Sequence, residues 1–414
     1  MAYRKFWPLV SLLGLLVLAG CGGTSSITPS QPTPAAKPEF LYVRTLTQNP
    51  STLPLVPGLA TFKLDSTSGV LTSTATTSLD VLTLGFAVNP AAKFLYVSNF
   101  ENGPGDIVNI FSIDPASGVP AVKGQYAPLN TICSLCPPAP NGPGPLAIDP
   151  AGKFLFYGSS VFGPPQVVGV LAVDGTGMLS AAPGSPFPAD LMPFAVAVHP
   201  SGRFVYTENV DPSILIGNTT TNGQAPTLPI GLKSISGFSV AENGALTAIP
   251  GSPFPVPSNL SLTNFLFHPS GKFVFLTGGT PLQSVYVWSV DQTTGELSAV
   301  PGSPFGSVTL FTNGAVHPNG KFVYFPDLLD GLTAFSIDAN TGVLTELGGI
   351  PGATGQRYAN ATIDPSGNFL FVTDVANETI VEFKVDTNTG SLTAQGTPTP
   401  LGALTQSMTI VKAP

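Results

Sequence analysis

Short apolar segments recur along the chain from residue 40 onwards, and turns rich in glycine and proline separate them. In each unit an apolar strand leads into Asx/His-Pro, two small turn residues and usually a basic residue, and Phe with further apolar residues follows, as at 268–276. A second alternating run ends in Asp and turns through Asp-x-x-Thr-Gly, as at 332–342. Because proline fixes φ and glycine accepts a positive φ, both turns favour tight reversals between strands. Six phrases of the first kind begin at Asn89, Asp149, His199, His268, His317 and Asp364.

This repeat predicts an all-β protein built from units of four strands. We name the strands of a unit A to D, so that the first turn joins A to B and the second joins C to D. A four-stranded sheet that repeats about every 50 residues is typical of a β-propeller blade. The first unit begins at Phe40 without a strand A, and an unmatched strand A ends the chain at 408–412. The sequence therefore predicts a seven-bladed β-propeller, whose ring is closed by the C-terminal strand completing blade one and so leaves no sheet edge open.

Composition and charge exclude several other classes of protein. Charged residues make up 9% of the chain, where globular proteins have about 25%, and the heptads of a coiled coil are missing. The 45 glycines and 44 prolines fit a fold with many turns. With a net charge of −8, the chain lacks the basic footprint of a nucleic-acid-binding protein. We expect a monomer that has no nucleic-acid partner and no cofactor.

Residues 1–20 have the pattern of an export signal. Arg4 and Lys5 precede an apolar stretch at 9–18 that is too short to span a bilayer as a helix. The sequence Leu-Ala-Gly-Cys at 18–21 resembles the lipobox of bacterial lipoproteins, which implies a lipid on Cys21 and cleavage before it. An ordinary secretory signal with a chance cysteine is the alternative. Residues 21–37 then read as the lipidated cysteine with a flexible tether, and residues 38–414 as the propeller.

The lipobox predicts an extracytoplasmic protein of the bacterial cell envelope. Several acyl chains on one residue hold a protein at a bilayer, where a single chain would not. We therefore expect the membrane to be a partner through the lipid anchor, either at the outer membrane or at the cell surface.

Cys133 and Cys136 are the two remaining cysteines, and they lie within a long, proline-rich loop. In an oxidising compartment they can form a disulfide across a four-residue loop, which is the pairing we predict. Free thiols stay open as an alternative, as does a catalytic or metal-binding pair. A tetrahedral zinc site would need two further ligands.

The unit order, the two turns and the short closing strand resemble the seven-bladed lactonase propellers, which include 6-phosphogluconolactonases and fungal carboxymuconate lactonising enzymes. Three Pro-Gly-Ser-Pro-Phe phrases, at 183–187, 250–254 and 301–305, also look like exported bacterial members. The resemblance implies the propeller fold and a hydrolase acting on lactones.

The same resemblance implies a Gly-Pro-Arg-His run ahead of a central blade, and the matching run here begins at Met192-Pro193. Phe194 and Ala195 stand at its Arg and His positions, Val210 at the position of a family glutamate, and Ala359 at that of a further Arg. These departures favour a non-catalytic module that binds a small molecule, glycan or protein. The alternative is a lactone hydrolase with a rebuilt site.

Most candidate site residues lie where strand B ends, and Arg357 and Tyr358 lie just ahead of the last complete strand A. In the fourth position after the strand-B Phe, only Arg44 and Glu208 are charged, and Asp327 and Asp374 come one residue later in their units. A carboxylate such as Glu208 can activate water, and an arginine can stabilise a developing oxyanion. The hypothesis is therefore a polar site at one mouth of the ring, and ordinary solvated loop charge is its alternative. Its members are Glu208, Arg44 and Arg357 as catalytic candidates and Asp327, Asp374 and Tyr358 as ligand-binding candidates.

The three histidines occupy one repeated position. His199, His268 and His317 alternate around the ring with Asn and Asp at the same place in the turn. This interchange indicates a polar role within the turn, and different blades keep the imidazoles apart. We therefore expect no metal site.

Overall fold

The computed structural model describes most of the predicted propeller. The described residues are 37–47, 56–79, 83–99, 107–127, 143–159, 166–189, 191–210, 232–257, 260, 265–278, 283–308, 313–328, 331–350 and 355–413. Every regular element in these ranges is a β-strand. No helix in them is long and apolar enough to cross a membrane. The predicted signal peptide, Cys21, Cys133 and Cys136 lie outside the described residues.

Strands of the first half of the chain form blades one to four. Blade one has β1 (Glu39–Thr47), β2 (Val56–Leu64) and β3 (Leu71–Ser78); blade two has β4 (Thr83–Val88), β5 (Phe94–Asn99), β6 (Ile107–Ile113) and β7 (Pro120–Tyr126). Blade three has β8 (Pro143–Ile148), β9 (Phe154–Ser159), β10 (Val167–Val173), β11 (Leu179–Ala181) and β12 (Phe187–Pro188). Blade four has β13 (Met192–Val198), β14 (Phe204–Val210), β15 (Leu232–Val240), β16 (Leu246–Ala248) and β17 (Phe254–Pro255).

Three further blades and a final strand complete the fold. Blade five has β18 (Leu266–Phe267), β19 (Phe273–Gly278), β20 (Gln283–Val290), β21 (Leu297–Ala299) and β22 (Phe305–Val308); blade six has β23 (Ala315–Val316), β24 (Phe322–Asp327), β25 (Gly331–Ile337) and β26 (Leu344–Ile350). Blade seven has β27 (Tyr358–Ile363), β28 (Phe369–Asp374), β29 (Thr379–Val385) and β30 (Leu392–Pro400), and β31 (Leu404–Lys412) follows it. In blades two to seven the strands pair in chain order A to D.

The C-terminal strand closes the ring as the sequence predicts. β31 pairs antiparallel with β1 and supplies strand A of blade one, with Glu39 opposite Lys412 and Val43 opposite Met408. The backbone N–H of Ala413 donates to the carbonyl of Pro38 at 2.8 Å. The predicted seven-bladed, all-β fold and its closure are thus confirmed.

The two ends of a blade differ. One end carries the A–B and C–D turns, and we call it the turn face; the other carries the B–C and D–A connections, and we call it the loop face. On the turn face each joint between blades uses the same contact, in which the first Phe of strand B packs against the C–D glycine of the next blade. A Cβ on Gly118 (φ 73°) would lie 2.4 Å from the Phe40 ring, and one on Gly69 (φ 81°) would lie 2.5 Å from Phe369. The other joints pair Phe94 with Gly177, Phe154 with Gly244, Phe204 with Gly295, Phe273 with Gly342, and Phe322 with Gly390.

Tyrosine hydroxyls reinforce four of these joints. Two residues after the Phe, Tyr42 donates from its hydroxyl to the Gly118 carbonyl at 2.7 Å, and Tyr206 donates to that of Gly295 at the same distance. Tyr96 and Tyr324 make the matching bonds at 3.1 Å. Burial raises the pKa of all four hydroxyls, so they stay protonated donors. Blades three, five and seven carry Phe156, Phe275 and Phe371 at this position.

The three histidines join neighbouring turns. Nε2 of His199 donates to the Gly271 carbonyl at 2.8 Å, and His268 and His317 make the same bond to the next blade at 2.8 and 2.9 Å. Because a carbonyl only accepts, Nε2 carries the proton, and Nδ1 accepts a backbone N–H two residues on, as from Ser201. The predicted turn role is confirmed, and the contact across the joint adds to it.

The outer edge of the blades has two designs. In blades one, two, six and seven strand D is continuous, and a register shift interrupts its pairing with strand C. In blades three to five the Pro-Gly-Ser-Pro-Phe phrase divides strand D into two short pieces. There a serine hydroxyl accepts the strand-C N–H that the ladder leaves unpaired, as Ser185 does from Val170 at 2.9 Å. Ser252 and Ser303 accept in the same way.

Candidate functional site

Successive side chains along strand B point to opposite faces of the blade, so each one packs against either the preceding or the following blade. In blade one, Phe40 and Tyr42 pack with Leu95 and Val97 of blade two. The intervening residues, such as Leu41, pack against blade seven. The joint that receives each candidate side chain therefore follows from its place in this alternation.

Arg44 lies on the face of β1 that looks toward blade two. Leu59 and Ser407 are its cross-strand partners, and Leu59 belongs to the apolar cluster between blades one and two. The Nε atom of Arg44 is buried and has no hydrogen-bond partner in the part of the chain that the structure describes. Burial lowers the pKa of this guanidinium to about 10, so it stays protonated at neutral pH.

Glu208 lies between blades four and five. It shares its face of β14 with Phe204 and Tyr206, which pack against Val274 and Leu276 of blade five. The residue is fully buried, and Ala195 and Ile235 are its cross-strand partners. Ala195, at the position where the family resemblance implies a histidine, thus lies directly opposite the one acid at this level of strand B.

Asp327 occupies a third joint. It ends β24 on the face that carries Val323 and Phe325, which pack against Phe275 of blade five. The side chain is fully buried. Arg44, Glu208 and Asp327 are therefore distributed over three joints, and blades two to four separate Arg44 from Glu208 around the ring.

Three candidates do come together in blade seven. Asp374 pairs with Tyr358 in the register of β27 and β28, and its Oδ1 accepts the backbone N–H of Arg357 at 3.0 Å. The same oxygen accepts from Ala376 at 3.1 Å, while Oδ2 accepts the side-chain amide of Asn377 at 2.7 Å. Asp374 therefore orders the turn that follows β28 and holds the backbone before β27.

The other groups of this cluster point to a local structural role as well. The Arg357 side chain is exposed, and the bond to Asp374 comes from its backbone. The Tyr358 hydroxyl donates to Gln356 at 2.8 Å, and burial raises its pKa. The contacts in this cluster are those of a well-ordered turn.

A buried polar cluster in blade four was not predicted. Asn209 donates to the hydroxyls of Ser234 at 3.0 Å and Ser236 at 2.8 Å, and it accepts from Thr207 at 2.9 Å. All four side chains face blade three and are buried. Its signal in the sequence is a pair of alternating polar positions in neighbouring strands, and none of the four side chains is charged.

The positions that the family resemblance singled out carry no ionisable group. A register shift in β13 places Phe194 at a bulge between Pro193 and Ala195. Val210 is fully buried, and Ala359 lies within β27. Among the described residues, no three His, Cys, Asp or Glu side chains are grouped closely enough to hold a metal ion.

Comparisons with known proteins agree with the fold. A family model described as Lactonase, 7-bladed beta-propeller matches residues 229–406, from the C strand of blade four into β31. No curated protein sequence is significantly similar to this chain.

Solved structures of two bacterial proteins superpose on nearly the whole chain. One from Bacteroides fragilis, provisionally assigned as a 6-phosphogluconolactonase, has 18% identity and a TM-score of 0.67, with 92% of this chain and 100% of that one covered. The periplasmic gluconolactonase of Pseudomonas aeruginosa has 18% identity and a TM-score of 0.65, with 91% and 100% covered. The predicted resemblance to the lactonase-type propellers is confirmed, and at these identities the solved structures bear on the fold alone.

Proposed function

We propose that this lactonase-like propeller is a lipid-anchored, extracytoplasmic binding module rather than a lactonase of the family type. Its ligand is a small molecule, glycan or protein held at the loop face. The observation that carries the proposal is the distribution of Glu208, Arg44 and Asp327 over three separate joints. A hydrolytic site needs its base and its oxyanion donor on one reacting group, within about 3 Å of the atoms they serve.

Two further observations support binding over catalysis. Asp374, the candidate acid of blade seven, accepts four hydrogen bonds, three from the turn that follows β28 and one from the backbone of Arg357. Phe194 and Ala195 replace the polar pair that the resemblance implies. Binding requires complementary surface and donors, and it does not require this pair.

A ligand screen by thermal shift tests the binding function. A ligand that binds only the folded state raises the melting temperature through linkage, by an amount that grows with its concentration over Kd. Sugar lactones, sugar acids and cell-wall fragments form the screen, and a binding module responds to at least one class. A protein that responds to no class of compound would contradict the proposal.

The alternative, a lactone hydrolase with a rebuilt site, rests on one observation. Glu208 is a buried carboxylate directly opposite Ala195, so a bound lactone could meet it where the resemblance implies a histidine. If Glu208 is a general base, Glu208→Gln abolishes turnover while the melting curve is unchanged, since loss of a base costs roughly 10²–10⁴-fold. We expect no turnover of sugar lactones by the wild type. If the wild type does hydrolyse a sugar lactone and Glu208→Gln does not, the hydrolase alternative would replace the binding-module proposal.

The lipid anchor is the second part of the proposal. Its basis is the Leu-Ala-Gly-Cys sequence at 18–21, which resembles a lipobox. We expect Cys21→Ser to leave the membrane fraction or to remain unprocessed. Unchanged membrane partition, with no lipid mass on the wild-type protein, would contradict the anchor.

An extracytoplasmic location also predicts a disulfide between Cys133 and Cys136. Both thiols should resist alkylation in protein taken from the cell envelope until a reductant is added. Rapid labelling without reductant would show free thiols. Because a four-residue loop restricts little chain, replacing both cysteines with serine should change the melting temperature only slightly.

A further inference from the structure

Arg44 is the loop-face residue whose environment is hardest to explain by folding alone. Its Nε is buried without a hydrogen-bond partner in the described ranges, and its neighbours on that face are the fully buried Tyr42 and Leu59. The residue as a whole is half-buried, so it is the Nε end of the guanidinium that is shielded from water, and shielding a charged donor without a partner is unfavourable. Desolvation accounts for its lowered pKa, and within the described residues it forms no ion pair.

A second polar atom on the same face is also left without a partner. Thr61 follows Leu59 by two residues on β2, so it shares the face with Arg44, and it is fully buried. Its Oγ1 makes no hydrogen bond in the described part of the chain. Across the joint, Asn99 lies on the face of β5 that carries Leu95 and Val97, and it is 1% exposed. The face of blade one that carries Arg44 therefore also carries a buried hydroxyl at the level of Tyr42, and the facing side of blade two carries an amide.

We infer that Arg44 is the receptor for an oxyanion, the carboxylate or phosphate of a small ligand that enters between blades one and two at the loop face. A guanidinium presents five N–H donors in a planar fork that fits both groups with two parallel hydrogen bonds. Among the described residues Arg44 forms no ion pair, and its charge faces the joint between blades one and two. The inference rests on the proposed binding function and adds the charge and the location of the ligand.

The first test measures binding of defined anions by thermal shift and calorimetry. Gluconate tests for a carboxylate, glucose 6-phosphate and inorganic phosphate test for a phosphate, and glucose is the neutral control at matched ionic strength. The wild type should bind gluconate or the phosphates and should not respond to glucose. Arg44→Met should weaken that binding roughly 10- to 100-fold, the range expected for hydrogen bonds to a charged group. Arg44→Lys keeps the charge without the fork and should give an intermediate loss.

The second test asks what Arg44 does in the absence of ligand. If it is held for a ligand, Arg44→Met removes a half-buried charge whose Nε has no partner in the described ranges, and the ligand-free melting temperature stays equal or rises. If it is a structural residue, that temperature falls. Arg203→Met is the matched control, because it removes the same charge from an exposed arginine on the turn face and should leave the response to anions unchanged.

The outcomes separate this inference from the binding function. Equal anion affinity in wild type and Arg44→Met overturns the inference, as does a wild type that ignores anions while binding a neutral glycan. The latter result leaves the binding function standing. A lower ligand-free melting temperature in Arg44→Met together with no anion response would assign Arg44 to the fold.

Discussion

The turn face and the loop face of the propeller are built on different rules. On the turn face every joint repeats the same Phe-against-Gly contact. On the loop face the residue at one shared level of strand B varies among the blades, with threonine alone occurring twice, and the series is Arg44, Ser98, Gly158, Glu208, Thr277, Pro326 and Thr373. The repeated contact on the turn face determines how the blades assemble into a ring. On the loop face the residues vary, so each blade can present different side chains to a ligand. Changes on the turn face should therefore lower stability, and changes on the loop face should alter ligand binding.

The largest expected effect comes from removing the closing strand. Deleting 404–414 strips strand A from blade one and leaves β1 as an open sheet edge. We expect aggregation or loss of a cooperative unfolding transition, measured by light scattering and circular dichroism. Deletion of Pro414 alone is the control and should behave like the wild type. A truncated protein that melts like the full chain would mean that the ring does not depend on this strand.

The joint glycines should give the next largest effect. In Gly118→Ala the new methyl group meets the Phe40 ring and the backbone must keep a positive φ, so we expect a loss of about 2–4 kcal/mol in the free energy of unfolding. Gly175→Ala is a matched control in a C–D turn, because a Cβ there has no atom within 4 Å. Denaturant unfolding of both variants measures the difference. Equal stability of the two would rule out the proposed packing at the joint.

The histidine contacts predict a pH dependence. Burial lowers the pKa of His199, His268 and His317 below the ordinary value of 6.5, so between the two values the folded state binds fewer protons than the unfolded state. The contribution of the neutral histidines to the free energy of unfolding is complete above about pH 6.5, and it is lost as the pH falls below that value. The melting temperature should therefore drop between pH 7.5 and pH 5.5.

Replacing the histidines isolates this effect from other titrating groups. Burial raises the pKa of Glu39 and Glu382, which makes stability fall as the pH rises above about 4.5, in the opposite sense. A triple His→Asn variant keeps a turn residue that Asn89 already provides in blade two, and it should show a flatter melting temperature over pH 5.5–7.5. An unchanged slope would assign the pH dependence to other groups.

The smallest expected effect is that of a tyrosine hydroxyl at a joint. Tyr42→Phe removes the bond to the Gly118 carbonyl and should cost about 0.5–1.5 kcal/mol. Blades three, five and seven have phenylalanine at this position and lack the hydroxyl, so the fold should persist in Tyr42→Phe. Denaturant unfolding measures the loss, and a cost as large as that of Gly118→Ala would place the main joint energy in the hydroxyl.

The fold could be predicted because each turn sequence occurs in several units. Where one unit was ambiguous, the other units showed where its strands begin and end. The divided D strands of blades three to five were not predicted. In each, a serine hydroxyl accepts the strand-C N–H that a strand-D carbonyl would otherwise accept, and the Pro-Gly-Ser-Pro-Phe sequence does not by itself indicate this bond. Arg44, Glu208, Asp327 and Asp374 were correctly expected towards the end of strand B, and Arg357 and Tyr358 at the start of a strand A. Their joints were not, since alternation along the strand sends Arg44 toward blade two and Thr45 toward blade seven.

The role of single side chains was harder still to predict. Asp374 orders a turn because Asn377 and the backbone of Arg357 lie within its reach, and that proximity exists only after β27 and β28 have paired. Asn209 and its hydroxyl partners looked like ordinary alternation in two strands. Such roles depend on contacts between strands, and a single sequence does not reveal them.

The Phe-to-Gly contact also has a consequence for how such a ring can change over evolutionary time. Each blade presents a phenylalanine side chain to one neighbour and the open space over a glycine to the other. Every blade is therefore complementary to any neighbour built in the same way. A duplicated or exchanged segment would therefore dock without requiring compensating mutations in the blades beside it. Selection can then alter one set of loops at a time, which lets a single scaffold diversify in recognition while its assembly rule stays constant.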